Sequence, residues 1–157
     1  MRAIGKPGDR RRGSQLVETG LMMLPFLALA FLTLDSAWAL FVKATLQHAV
    51  QEGVRYGITG QVSGNNGQIA SIESVVVTQA MGLLSGSQAG TLSVQFLSPS
   101  TLAATSSNIG GNIVQVSVTN YQVAPLAPLL RSGTAIPVTV TAADVIESSG
   151  AGGPPAP

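Results

Sequence analysis

Glu18 is the residue of this sequence whose chemistry is hardest to place. It stands in RRRGSQLVETGLMMLPFLALAFL, residues 10–32, between an arginine run ending at Gly13 and a long apolar segment. A carboxylate at the edge of a hydrocarbon phase is costly unless it gains a partner, so an ionisable group in that position is a functional hypothesis by default. The plainer alternative is that Glu18 rests among lipid headgroups. Asp35 is a second acid, near the far end of the same apolar segment. Elsewhere the chemistry thins out. His48 is the only histidine, there is no cysteine, and its one acidic neighbour at helical spacing is Glu52, so an exposed helix residue is a better reading than a metal ligand. Serine and threonine nucleophiles lack a histidine partner in a triad-like context. SGNNGQ and NIGGN carry no lysine at phosphate-loop spacing and read as turns. The expectation is a non-enzyme with no cofactor, no metal and no small-molecule substrate.

Composition narrows the setting. Only 10% of the 157 residues are charged, and the mean hydropathy is positive. The polar remainder is mostly Ser, Thr, Asn, Gln and Gly, as in exported or surface-assembled proteins. The absence of cysteine excludes a disulfide framework and a thiolate metal site. Net charge is +1, and its distribution is uneven: Arg2, Lys6, Arg10, Arg11 and Arg12 precede Ser14, whereas Lys43, Arg55 and Arg131 are the only basic residues after it. No basic groove with stacking aromatics extends the arginine run, so nucleic acid is not an expected partner. Basic residues ahead of an apolar run instead set topology, with the N-terminus in the cytoplasm.

The elements follow from periodicity. Thr19 to Val42 holds 24 residues with Asp35 as the one charge, and a helix of that length is about 36 Å long, enough to cross a bilayer. Trp38 and Phe41 suit an interfacial aromatic belt, with Asp35 close to the same interface. Val42, Leu46, Ala49 or Val50, Gly53 or Val54, and Gly57 continue at helical spacing, predicting one helix over about 14–56 whose outer half is an amphipathic stalk. GITGQVSGNNG ends it. A second helix is expected over 68–84, with Asn65 as N-cap, Gln68 as its capping-box partner, an apolar face of Ile69, Ile72, Val76, Ala80 and Leu83, and Gly86 as the stop. Period-two alternation then gives strands through Leu92, Val94 and Phe96; Val114, Val116 and Val118; and Ile136, Val138 and Val140. The fold class is α+β: a long N-terminal transmembrane and stalk helix, and a second helix on a small antiparallel three-strand sheet. The divisions are a leader at 1–13, the membrane and stalk helix at 14–57, an extracytoplasmic domain at 58–147 and a disordered tail at 148–157.

Two resemblances give the N-terminal residues a role. Gly13 after a basic run, with Glu18 as the fifth residue beyond it, resembles the leader of type IV pilins, which implies cleavage by a prepilin peptidase between Gly13 and Ser14. More narrowly, Val17, Glu18, Pro25, Asp35, Leu46, Gln47, Ala49, Glu52, Gly53, Arg55 and Tyr56 resemble the TadE-like pseudopilins of tight-adherence (Tad, Flp) pili, with their V-E opening, acidic residue late in the apolar run and L-Q-x-A-x-R-E-G-A-R-Y-type stalk. VTNYQVAPLAPLL is similar to the family's strand and P-L-x-P-L loop. Thr19 departs from the usual aromatic, and DSAW from the usual acidic-F-G-R. The resemblance implies a single-pass inner-membrane protein with its C-terminal domain in the periplasm, whose partners are the peptidase, other pilins or pseudopilins and the Tad secretion machinery. It also implies a partner for Glu18. Cleavage creates an α-amino group at Ser14, about 6 Å of helix rise away, and in pilin-like assembly the glutamate meets such an amine on a neighbouring subunit. Paired in a low-dielectric bundle the two charges neutralise each other; alone, either would be a buried unpaired charge. The rival is an ordinary signal sequence. Ala37 and Ala39 form an A-x-A pattern, and a cut after Ala39 would release a secreted binding or adhesin module; a membrane-anchored module that keeps its leader is the other alternative.

Overall fold

The computed structural model describes residues 10–63, 67–86, 91–126 and 135–147, with side chains from Gly13 onward. Its elements are α1 (Arg10–Ile58), α2 (Gln68–Gln79), β1 (Leu92–Leu97), β2 (Ala104–Thr105), β3 (Ile113–Val123) and β4 (Ile136–Val145). The class is α+β, with a long apolar N-terminal helix, a second helix and an antiparallel sheet.

α1 is unbroken across Pro25. Thr19, Thr33, Ser36 and Thr45 each donate to the carbonyl four residues earlier, so these four hydroxyls are paired within the helix. The C-terminal half buries the apolar face of the helix and leaves Gln47, His48, Gln51 and Arg55 exposed. Val42, Leu46, Ala49, Val50 and Val54 are all buried, at the helical spacing the sequence shows, and they form the floor of the hydrophobic core. Gly53 and Gly57 let α2 close on α1: a Cβ on Gly53 would strike Val76 Cγ2, and one on Gly57 would lie 3.0 Å from Ile72 Cδ1 and 3.2 Å from Val114 Cγ2. The helix end is tied down by Glu147, whose amide donates to the Ile58 carbonyl.

α2 is shorter than its apolar pattern predicts. Met81 and Gly82 both take positive φ, at 52° and 83°, so the chain turns after Ala80 and delivers Leu84, rather than Leu83, into the core. Glycine at 82 makes that early stop cheap, and Gly86 is not the stop. The helix start also differs. Asn65 lies outside the described residues, the N-cap is Gly67 with no side-chain cap, and Gln68 turns inward instead of forming a capping box. Its Nε2 donates to the Gly57 carbonyl at 2.9 Å, and its Oε1 accepts from Asn108 Nδ2 at 2.6 Å. Both side chains are buried, and each makes the bond that burial of an amide demands.

The sheet has the order β2-β1-β3-β4, antiparallel throughout. The expected sheet lacked β2, a two-residue edge strand pairing with Phe96 and Leu97, which is too short to show alternation. Val94 opposes Val116 and Phe96 opposes Val114, so the three alternating runs share one inner face. β3 then changes parity. Between Val118 and Tyr121 it gains one residue on β4, and Asn120 takes φ 56° while its amide donates to Thr139 Oγ1. This bulge moves the buried positions from Val114, Val116 and Val118 to Tyr121 and Val123. α1 packs on β3 and β4, and α2 on α1 and β1.

Candidate functional site

The residues singled out by type and spacing are spread along α1, and they fall at two levels. Gly13, Ser14 and Glu18 sit at the beginning of a bare arm. From Ser14 to Leu34 no residue of α1 is buried, and Leu16, Leu21, Met22, Phe26 and Leu29 are each about two-thirds exposed or more. Soluble proteins do not leave so large a contiguous apolar surface uncovered. The arm is the one helix among the described residues long and apolar enough to cross a membrane, and its 21 residues rise about 31 Å against a hydrocarbon core of about 30 Å. Gly13 has open space where a Cβ would stand, and Ser14 and Glu18 are exposed. The peptide after Gly13 and the Glu18 carboxylate thus face outward, toward whatever surrounds the arm.

Asp35 is where the arm ends. It is the first buried residue of α1 from Gly13 onward, 7% exposed, and its Oδ1 accepts a hydrogen bond from the Leu126 amide at 2.8 Å. Above it, Trp38 stacks on Phe41 with ring centroids 5.6 Å apart, and Trp38, Val42, Tyr121 and Pro125 line a shallow cleft beside the same loop. Within the segment read as Thr19–Val42, the described domain first meets α1 at Asp35. Burial raises the Tyr121 phenol above its ordinary pKa of 10.0.

The remaining matching residues lie beyond the cleft. Gln47 is exposed, and His48 with it. Glu52 and Arg55 approach at 4.0 Å with the guanidinium largely in solvent, a pair that adds little stability. Tyr56 is half-buried and packs against the core; with Glu52, Arg55, Thr59, Gln61 and Val75 it borders an open depression of about 360 Å³. Among the described residues no three His, Cys, Asp or Glu side chains gather as a metal cluster would require. The structure thus brings Glu52, Arg55 and Tyr56 together and leaves Glu18, some 34 residues earlier on the helix, about 50 Å away. Sequence reasoning missed Leu126 and the Gln68–Asn108 pair. The P-L loop was visible as a motif, but nothing local joins it to Asp35, 91 residues earlier.

No curated protein and no solved structure matches the chain. The likeness noted for VTNYQVAPLAPLL falls outside the family match, which ends within α1. Residues 13–55, from the glycine before the bare arm to the arginine of the ion pair, match the model of the family described as TadE-like protein.

Proposed function

We propose that this chain is a structural pseudopilin of a tight-adherence pilus, inserted in the inner membrane with its N-terminus in the cytoplasm and its α+β domain in the periplasm, cleaved by prepilin peptidase after Gly13 and needed for pilus assembly. A TadE-like segment with an N-terminal apolar helix is the mark of a Tad pilus-associated component and is consistent with a single membrane pass. The observation that carries the finer reading is the bare arm. It is an apolar helix with no packing partner among the described residues, entered through Gly13 and bearing one outward carboxylate within its first turns. Such an arm is built to be covered, first by lipid and then by the arms of neighbouring subunits. Its chemistry is helix packing, with Glu18 supplying a charge that is tolerated in a packed bundle only beside the α-amine released at Ser14. This is a role in assembly rather than catalysis.

The rival cut after Ala39 is less compatible with the structure. Ala39 lies inside the uninterrupted helix and is packed against the core beside Trp38, so cleavage there would remove the Asp35 carboxylate from the Leu126 amide and strip Trp38 from the cleft. The mass and N-terminal sequence of the mature protein from the membrane fraction decide between the two. Ser14 is the expected first residue, and Leu40 would overturn the proposal. Gly13→Leu should accumulate the uncleaved precursor.

A further inference from the structure

The core position of Val42 to Val54 has a consequence for where the domain sits. If residues beyond Asp35 formed a free stalk, the domain would stand off from the membrane. Instead Leu126, just after β3, is held against α1 at Asp35, directly where the bare arm stops. Asp35 lies 17 residues beyond Glu18, about 26 Å along the axis, so a hydrocarbon core of about 30 Å entered near Glu18 ends close to Asp35. Leu126, whose amide is on the Asp35 carboxylate, is therefore at the same depth, and its side chain is 61% exposed. Leu34 just below it and Leu40 and Phe41 just above are also exposed. Trp38 and Phe41 rise about 4.5 and 9 Å above Asp35, through the interfacial layer that brings a bilayer from about 30 Å to about 40–45 Å.

We propose that the Ala124–Leu126 turn is a second membrane contact. Leu126 enters the headgroup layer of the leaflet on the domain's side, and Asp35 acts as the positioning residue that holds it there. The occupant is lipid because Leu126 is held at the depth where the arm leaves the hydrocarbon, a level at which Leu34, Leu40 and Phe41 of α1 are exposed as well. The arrangement also gives the Asp35 carboxylate a use at the interface. Its hydrogen bond pairs the Leu126 backbone N–H at the edge of the hydrocarbon, where a bare amide is costly. The inference rests on the membrane reading of the arm, and the two can fail separately.

The chain has no cysteine, so single-cysteine variants of the full-length protein accept one environment-sensitive fluorophore each. In vesicles of phosphatidylethanolamine and phosphatidylglycerol at low protein density, the label on Leu126→Cys should be quenched by lipids carrying a quencher at the headgroup and much less by lipids carrying it deep in the acyl chain. Leu27→Cys, in the arm, should show the reverse, and Gln47→Cys should be quenched by neither. Adding Asp35→Ala should lower the headgroup quenching at position 126 toward the level of position 47, whereas Asp35→Asn, which keeps the acceptor oxygen, should preserve it. A label at 126 that behaves like the one at 47 while the label at 27 is quenched overturns the second contact and leaves the span intact. Loss of quenching at 27 as well overturns both. Shielding at 126 that follows protein density and ignores lipid quenchers overturns the proposal in favour of a second copy covering the turn.

Discussion

At Gly53 the helices α1 and α2 pack with no room for a Cβ, and replacing it with alanine puts two known effects in opposition. Alanine is the better helix former by about 1 kcal/mol, and Gly53 is in the interior of α1, so on propensity alone the substitution stabilises. Against this, the new Cβ would overlap Val76 Cγ2 and lie 3.5 Å from Ile72 Cγ2. Val76 cannot swing away. It is fully buried, and a β-branched residue in a helix has essentially one χ1 state. Relief must come from sliding α2 outward, which opens the core beneath it, and forced overpacking of this kind costs about 1–3 kcal/mol. With the propensity gain subtracted, Gly53→Ala should destabilise the domain by up to about 2 kcal/mol. Gly57→Ala should cost less, because the nearest atom is the terminal Cδ1 of Ile72, at 3.0 Å, on a side chain that can readjust.

A double substitution isolates the cause. Val76→Ala alone leaves a cavity and destabilises, but combined with Gly53→Ala it removes the methyl that clashes. The pair should therefore be less destabilised than the sum of the singles by about 1 kcal/mol or more, within the range seen for residues in direct contact. Urea unfolding of the full chain in mild detergent, followed by the fluorescence of the single tryptophan, Trp38, reports the domain, because Trp38 packs against its core. A Gly53→Ala protein at least as stable as the parent, with unchanged m-value, would refute the close-packing account. Strict additivity would show that the cost arises elsewhere.

Gln68→Leu keeps the side-chain volume but removes the donor to the Gly57 carbonyl and the acceptor for Asn108; at about 1–3 kcal/mol for each buried group left short of a partner, it should lower the urea midpoint more than Gly57→Ala does. The raised Tyr121 pKa means the folded state favours the neutral phenol, so its contribution is complete below pH 10 and is lost as pH rises from there through the folded-state value. Tyr121→Phe should flatten the alkaline fall in stability relative to the parent, and parallel stability–pH curves would show that the phenol is not responsible. Glu18→Ala should leave membrane insertion and domain stability unchanged but impair pilus assembly. Parental piliation and adhesion in that strain would remove the proposed pairing.

What the sequence displays is what repeats at short range. The buried stripe of α1, Val42, Leu46, Val50 and Val54, and the inner faces of the strands are periodic patterns, and a single conformation satisfies each. The change of parity in β3 was less visible because one residue, Asn120, causes it; asparagine tolerates the left-handed region, but TNY by itself does not say that the strand continues beyond. The early end of α2 depends on Gly82, which the apolar pattern runs straight past. The Asp35–Leu126 and Gln68–Asn108 bonds join positions 91 and 40 residues apart, and no local propensity encodes a meeting of that kind. The proposal for Gly13 and Glu18 is of the opposite kind: it rests on their order relative to the arginines and the apolar run and on no tertiary contact.

The burial of the outer half of α1 also constrains how assembly and presentation relate. A separate stalk joined by a hinge would let the arm settle into a bundle without regard to the sheet. Here α1 is continuous from Arg10 to Ile58, and its last turns are locked by Gly53 against Val76, by Gly57 against Ile72, and by the Glu147 amide on the Ile58 carbonyl. A helix cannot shift its register by one residue without turning about 100° and moving about 1.5 Å. Whatever partner fixes Glu18 in the arm therefore also fixes the direction in which β1 to β4 face, since no joint separates the two. A glycine pair inserted between Leu34 and Asp35 would break that linkage while leaving both the arm's surface and the domain's core untouched. If the rigid connection matters, assembly should fail in that variant although Glu18 is intact and the domain still folds; normal piliation would show that arm packing and domain orientation are set independently.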